Sequence, residues 1–175
     1  MTATWRETFW GLIGRHAFRC TFHNWYGVRR SILRRFGASL SATARLRPTA
    51  VVTHPWNLSM GEESSVGDHA RIQGPDPVRL GDFVTVSQHA AVHTLIPGPG
   101  GAHGPVTIEN DAWIATDAFV GPGVRVHEGA IVAARTTVLA DVPPWTILGG
   151  DPPVVLGPRE PPLGHPRRTA AGGHP

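Results

Sequence analysis

Between Leu40 and Val138 a large aliphatic residue returns every six positions, and no other property of the chain restricts its fold so strongly. The series runs Leu40, Leu46, Val52; Met60, Val66, Ile72; Leu80, Val86, Val92; Ile108, Ile114, Val120; and Val126, Val132, Val138. Within each triplet the step is six, and between triplets it is 8, 8, 16 and 6. Four positions after the aliphatic residue comes a small or β-branched one, as at Ala44, Ala50, Ser64, Ala70, Ala112 and Thr136. A strand alternates its faces with period 2, so a six-residue unit ending in a tight corner turns one large and one small side chain inward at fixed places. A helix would need apolar spacings of 3 and 4, which this region lacks over any long window. Three units close a triangle. The repeat therefore predicts an all-β chain of about five triangular coils, stacked by parallel pairing at ~4.8 Å into a prism roughly 24 Å tall. Every irregular step follows a third unit, so all insertions share one corner.

The flanks differ in composition. Residues 1–37 carry seven arginines against one acid, Glu7, a local charge of +6 where the whole chain has +3, together with Trp5, Trp10 and Trp25. The stretch "VRRSILRRF" puts Val28 and Ile32 on one helical face and arginines on the other. Two readings of this helical segment stay open. It packs beside the first coil, where Leu40 would otherwise leave an open strand edge, or residues 1–36 lie on an anionic membrane surface. Charge confined to this segment argues against nucleic-acid binding. Residues 38–156 form the repeat domain, and residues 157–175, rich in proline and glycine, are expected to be disordered. The single cysteine, Cys20, leaves no disulfide to form, which fits an intracellular protein. The run "TFWGLIG" is broken by Arg15 and His16, unlike a signal peptide.

The largest insertion separates Val92 from Ile108 and reads "HTLIPGPGGAHGP". It carries His93 where it leaves the prism and His103 on a glycine-rich arm expected to swing. Imidazole titrates near neutrality and so suits a general base. His54, His69 and His127 fall at outward or corner places and are expected to be surface residues.

The segments "LGDFVTVSQHAAV", "IENDAWIATDAFVGPGVRVHEGAIVAARTTV" and "ILGGDPPVV" resemble the hexapeptide-repeat acyltransferases. Upstream, "ILRRFGASL" and "THPWNLSMG" resemble the colanic acid biosynthesis acetyltransferase subgroup, so the likeness spans about residues 29–156. It implies a left-handed parallel β-helix, a homotrimer with sites between neighbouring prisms, and acetyl transfer from acetyl-CoA to a hydroxyl or amine, often on a sugar. It also implies a cytoplasmic enzyme that needs no metal, with the inner membrane surface as a further location.

The family's loop reads T-G-S-H-D. Laid on Thr94, its histidine falls on Pro97 and its aspartate on Gly98. Proline has no side-chain donor or acceptor, so His103 and His93 are the candidates for the base. The resemblance carries the coenzyme A groove to Trp113, Thr116, Ala134, Arg135, Gly149 and Gly150, with Ala140 in place of a lysine and Arg135 in place of a glycine. The same six residues also read as corner and core geometry. Two alternatives remain: a degenerate trimeric module that binds without catalysis, and a zinc carbonic anhydrase of the β-helix type using His89, His93 and His103, for which the surrounding glutamine, aspartate and asparagine pattern is missing.

Overall fold

A computed structural model describes residues 5–161, so the expected tail beyond 161 lies outside the described residues. The repeat winds into a parallel β-helix with three faces. The first face is built from Ser39–Leu40, Leu58–Met60, Val78–Leu80, Val106–Ile108 and Arg125–Val126. The second holds Arg45–Leu46, Ser65–Val66, Thr85–Val86, Trp113–Ile114, Ile131–Val132 and Thr146–Gly149. The third holds Val51–Val52, Arg71–Gln73, Ala91–His93, Phe119–Val120 and Thr137–Val138. Register sets each inward aliphatic on its counterpart one coil away, as in the column Leu40, Met60, Leu80, Ile108, Val126. All fifteen residues of the six-step series are buried, so the period is the core.

Corners repeat as strictly as faces do. The third residue after an inward aliphatic takes left-handed φ at Glu63, His69, Phe83, His89, Asp111, Asp117, Arg135 and Trp145. Such a φ costs a side-chain-bearing residue about 1 kcal/mol, offset by ladder bonds between corners such as His89 N–H to the Asp68 carbonyl at 2.9 Å.

Both ends go beyond the repeat. A sixth, partial coil follows the fifth: Val142 pairs with Val126, and Thr146–Gly149 adds to the second face. The step from Val138 to Val142 is four rather than six, which hides this coil from the period. Val154–Pro158 then returns antiparallel along Thr146–Gly149, and Arg159 donates its backbone N–H to the Trp145 carbonyl at 2.7 Å. The boundary expected at 157 thus falls inside a strand, and the chain stays bonded to the prism through Arg159.

The amino-terminal segment closes the other end. Helix α1 (Trp5–Phe9) runs through a wide π turn (Trp10–Gly14) into α2 (Arg15–Arg19), and α3 is Tyr26–Arg35. Within the prism, N–H groups of one coil donate to carbonyls of the next: Ser41 to Met60, Arg45 to Ser64, Arg47 to Val66 and Thr53 to Ile72. The first coil's matching carbonyls, on Leu40, Ala44, Leu46 and Val52, have no coil before them. Side chains supply the missing donors. Arg34 reaches Leu40 at 2.7 Å, Arg30 reaches Ala44 at 2.9 Å, Arg29 reaches Leu46 at 2.6 Å, and the Trp10 indole reaches Val52 at 2.8 Å. Arg29 is fully buried and also donates to Thr21 Oγ1 and to the Phe22 and His23 carbonyls. Burial lowers its pKa from the ordinary arginine value, yet a guanidinium keeps its charge at physiological pH. Packing on the open strand edge is therefore realised, and it uses three of the seven arginines, leaving the outer side of the segment free of these contacts.

Candidate active site

Insertions meet at the corner between the third and first faces. Residues 74–77 make the shorter excursion, and residues 94–105 the longer one, one coil further on. They lock through the fully buried Thr94: its N–H donates to the Gln73 carbonyl at 2.8 Å, and its Oγ1 accepts from the Asp76 N–H at 3.1 Å. Gly74, at φ +116°, makes this approach possible, since a Cβ there would lie 2.1 Å from Thr94 Oγ1.

The long insertion is not a loose arm. Leu95 pairs antiparallel with His103, Ile96 N–H donates to the Ala102 carbonyl at 2.9 Å, and Gly104 N–H donates to Thr94 at 3.0 Å. These bonds close a hairpin whose exposed far end includes Pro97, Gly98, Pro99 and Gly100. His103 therefore does not swing toward Pro97; it is held across from Leu95.

From there His103 faces a carboxylate. Its Nδ1 lies 3.7 Å from Asp76 Oδ2, an ion-pair distance, and that oxygen is buried without a hydrogen-bond partner. The His103 side chain is itself mostly exposed, at 76%. With Nδ1 toward the carboxylate, Nε2 points away from it. Asp76 was not among the sequence candidates. The shared corner of the two insertions was readable, but their contact was not.

His93 is set differently. It ends the strand Ala91–His93, its ring meets Phe119 edge-on at 5.2 Å, and its Nε2 is buried without a partner. Burial first, and then the positive charge of Arg71, hold its pKa below the ordinary histidine value.

The six groove candidates gather along another edge, between the second and third faces and on the adjoining second face. Trp113 stands outward, half-exposed, with its indole N–H donating to Ser87 Oγ at 2.8 Å. Arg135 stacks over Thr116, whose carbonyl accepts its N–H at 3.0 Å, and its exposed guanidinium lies 4.0 Å from Asp117. The left-handed φ of Arg135 explains why a glycine also fits there. Ala134 is exposed beside it. One coil further, Gly149 is packed so closely that a Cβ would meet Leu156 at 2.6 Å, and Gly150 turns at φ +95°. Lower on the second face lies a polar trough of about 480 Å³ whose lining includes Arg45, Arg47, Ser65, Ser87, Gln88 and His89.

Within one chain, then, the base candidates and the groove candidates occupy two edges separated by the third face. The zinc alternative meets the same division. His89 sits at the groove edge, stacked on His69 at 5.1 Å, away from the corner that holds His93 and His103. Among the described residues no three histidine, cysteine or carboxylate side chains come together as a metal site.

Over 141 residues the chain is 32% identical to WcaF of Escherichia coli K12, a protein assigned as a colanic acid biosynthesis acetyltransferase; the match covers 75% of each chain. It is 24% identical over 132 residues to the galactoside O-acetyltransferase of the same organism, covering 71% of this chain and 65% of that one. A hexapeptide-repeat acetyltransferase of Vibrio cholerae, solved with acetyl coenzyme A, superposes with a TM-score of 0.78 at 20% identity, over 89% of this chain and 88% of its own. No protein-family model matches.

Proposed function

Because the chain belongs to the hexapeptide-repeat acyltransferases, among those of the colanic acid acetyltransferase type, we propose that it transfers the acetyl group of acetyl-CoA to a saccharide hydroxyl, as a homotrimer whose sites lie between neighbouring prisms. His103 is the general base. The carboxylate of Asp76, 3.7 Å from Nδ1, favours by its charge a proton on that nitrogen and leaves the Nε2 lone pair for substrate. Nε2 takes the acceptor's hydroxyl proton as its oxygen attacks the thioester carbonyl. The tetrahedral intermediate then expels the coenzyme A thiolate, which receives that proton, so a C–O bond replaces a C–S bond and no group remains on the enzyme. The imidazolium formed in between is stabilised by Asp76.

The rest of the site follows from chemistry. Arg135 offers a cation to the phosphates of coenzyme A, while Ala134 and Gly150 leave space for a backbone-lined groove, Gly149 lets Leu156 pack at its end, and Trp113 forms its wall. The hydroxyl- and amide-bearing trough below suits a polyhydroxylated acceptor. The proposed location is the cytoplasm, with the amino-terminal cap in peripheral contact with the inner membrane; no helix among the described residues is long and apolar enough to cross one.

The observation that carries this reading is the His103–Asp76 pair where the two insertions of the prism meet. Proline at position 97 favours the non-catalytic module instead, and one assay separates them. Thiol release from acetyl-CoA is followed with a panel of sugars. Turnover with at least one sugar is expected, falling about 10²–10⁴-fold in kcat for His103→Ala and at least tenfold for Asp76→Asn, with KM for acetyl-CoA unchanged. Asp76→Glu is expected to recover part of the loss. Absence of turnover with every sugar, together with no heat of acetyl-CoA binding, would establish the non-catalytic module.

A further inference from the structure

The capping geometry sorts the amino-terminal residues into two sets. Trp10, Gly14 and Phe18 form the buried stripe of the first helical stretch. On its opposite side Trp5, Phe9, Leu12 and Ile13, spaced i, i+4, i+7 and i+8, are 76, 52, 69 and 52% exposed. Arg29, Arg30 and Arg34 are committed to the prism's carbonyls. Arg6, Arg15 and Arg19 are exposed and flank the outer stripe; none makes an ion pair among the described residues. The sole acid of residues 1–37, Glu7, lies 3.7 Å from His54 on the prism side.

We propose that this outer stripe is a docking surface for an anionic lipid bilayer, with Trp5, Phe9, Leu12 and Ile13 entering the interface and Arg6, Arg15 and Arg19 meeting the headgroups. A half-exposed apolar stripe needs a cover, and charge selects it. A second copy of the chain would bring arginines against arginines, whereas an acidic membrane supplies opposite charge. Nucleic acid supplies that charge but no cover for indole and aliphatic groups. The cap keeps the helices folded before they meet lipid, so docking carries no cost of helix formation. The inference rests on the peripheral location proposed above and is independent of acetyl transfer.

The full chain is sedimented with vesicles of phosphatidylcholine alone or containing about 30% phosphatidylglycerol. Wild type is expected to pellet with the anionic vesicles, less so at high salt, and to stay behind with the neutral ones. Leu12→Glu with Ile13→Glu, and separately Arg15→Glu with Arg19→Glu, are each expected to weaken partitioning about tenfold or more. Both variants should keep the wild-type melting temperature and the wild-type rate, whatever that is, on a water-soluble acceptor. Equal binding by wild type and variants, no binding by wild type, or a change of oligomeric mass in the Leu12/Ile13 variant would overturn the proposal.

Discussion

Two histidines, one ending the strand before the long insertion and one within it, have opposite surroundings. His103 holds an exposed ring 3.7 Å from a carboxylate, which faces the positive charge an imidazolium would carry. His93 has a buried Nε2 against Phe119 and near Arg71, which resist that charge. This depression has a sign in stability. Its folded pKa lies below the ordinary value of about 6.5, so the folded state binds fewer protons than the unfolded chain as pH falls through that range. The contribution is fully present above about pH 6.5 and is lost toward the folded pKa. His93→Leu is therefore expected to flatten the fall in melting temperature between about pH 7.5 and pH 5 relative to wild type; superimposable curves would show that His93 is not held neutral. The sequence pointed to both histidines because histidine in a large insertion stands out against a regular repeat. It could not show Asp76, which lies 27 positions before His103 and meets it only because Gly74 lets one insertion settle on the other.

At the level of elements, the six-residue period told which side chains face inward and where strands break, because inward aliphatics and corner positions are fixed by strand geometry. It stopped where the period stops. The sixth coil is masked by a four-residue step, and the arginine cap leaves no periodic trace because its contacts join helix side chains to prism carbonyls. Surplus arginine in residues 1–37 was visible; that three of those residues replace a missing coil was not. The cap should be a large stabilising element. Arg29→Met removes four hydrogen bonds and leaves buried carbonyls unpaired, which is expected to cost about 3 kcal/mol and to lower the melting temperature by roughly 10 °C. Thermal melts read this directly, and an unchanged melting temperature would show that the carbonyls are satisfied by water instead.

For the whole molecule, the decisive feature is that the candidate base and the candidate groove lie on two different edges. His103 and Asp76 occupy the insertion corner, while Thr116, Ala134 and Arg135 occupy the next edge, across the third face. No rearrangement of a stacked β-helix brings those edges together, because each coil is fixed by the coils on either side. A neighbouring copy of the chain can, by setting its insertion corner against this chain's groove edge. That is the physical content of the proposed site between prisms, and under that proposal assembly is a condition of activity.

The direct test is complementation between two inactive variants. His103→Ala removes the base, and Ala134→Trp fills the groove at an exposed position. Each alone is expected to be nearly inactive. Unfolded together and refolded in equal amounts, they should form trimers of random composition in which about a quarter of all interfaces, 1/2 × 1/2, pair an intact His103 with an intact groove. Recovery of about a quarter of wild-type turnover is the predicted result, and mixed trimers no more active than either parent would contradict a site shared between copies.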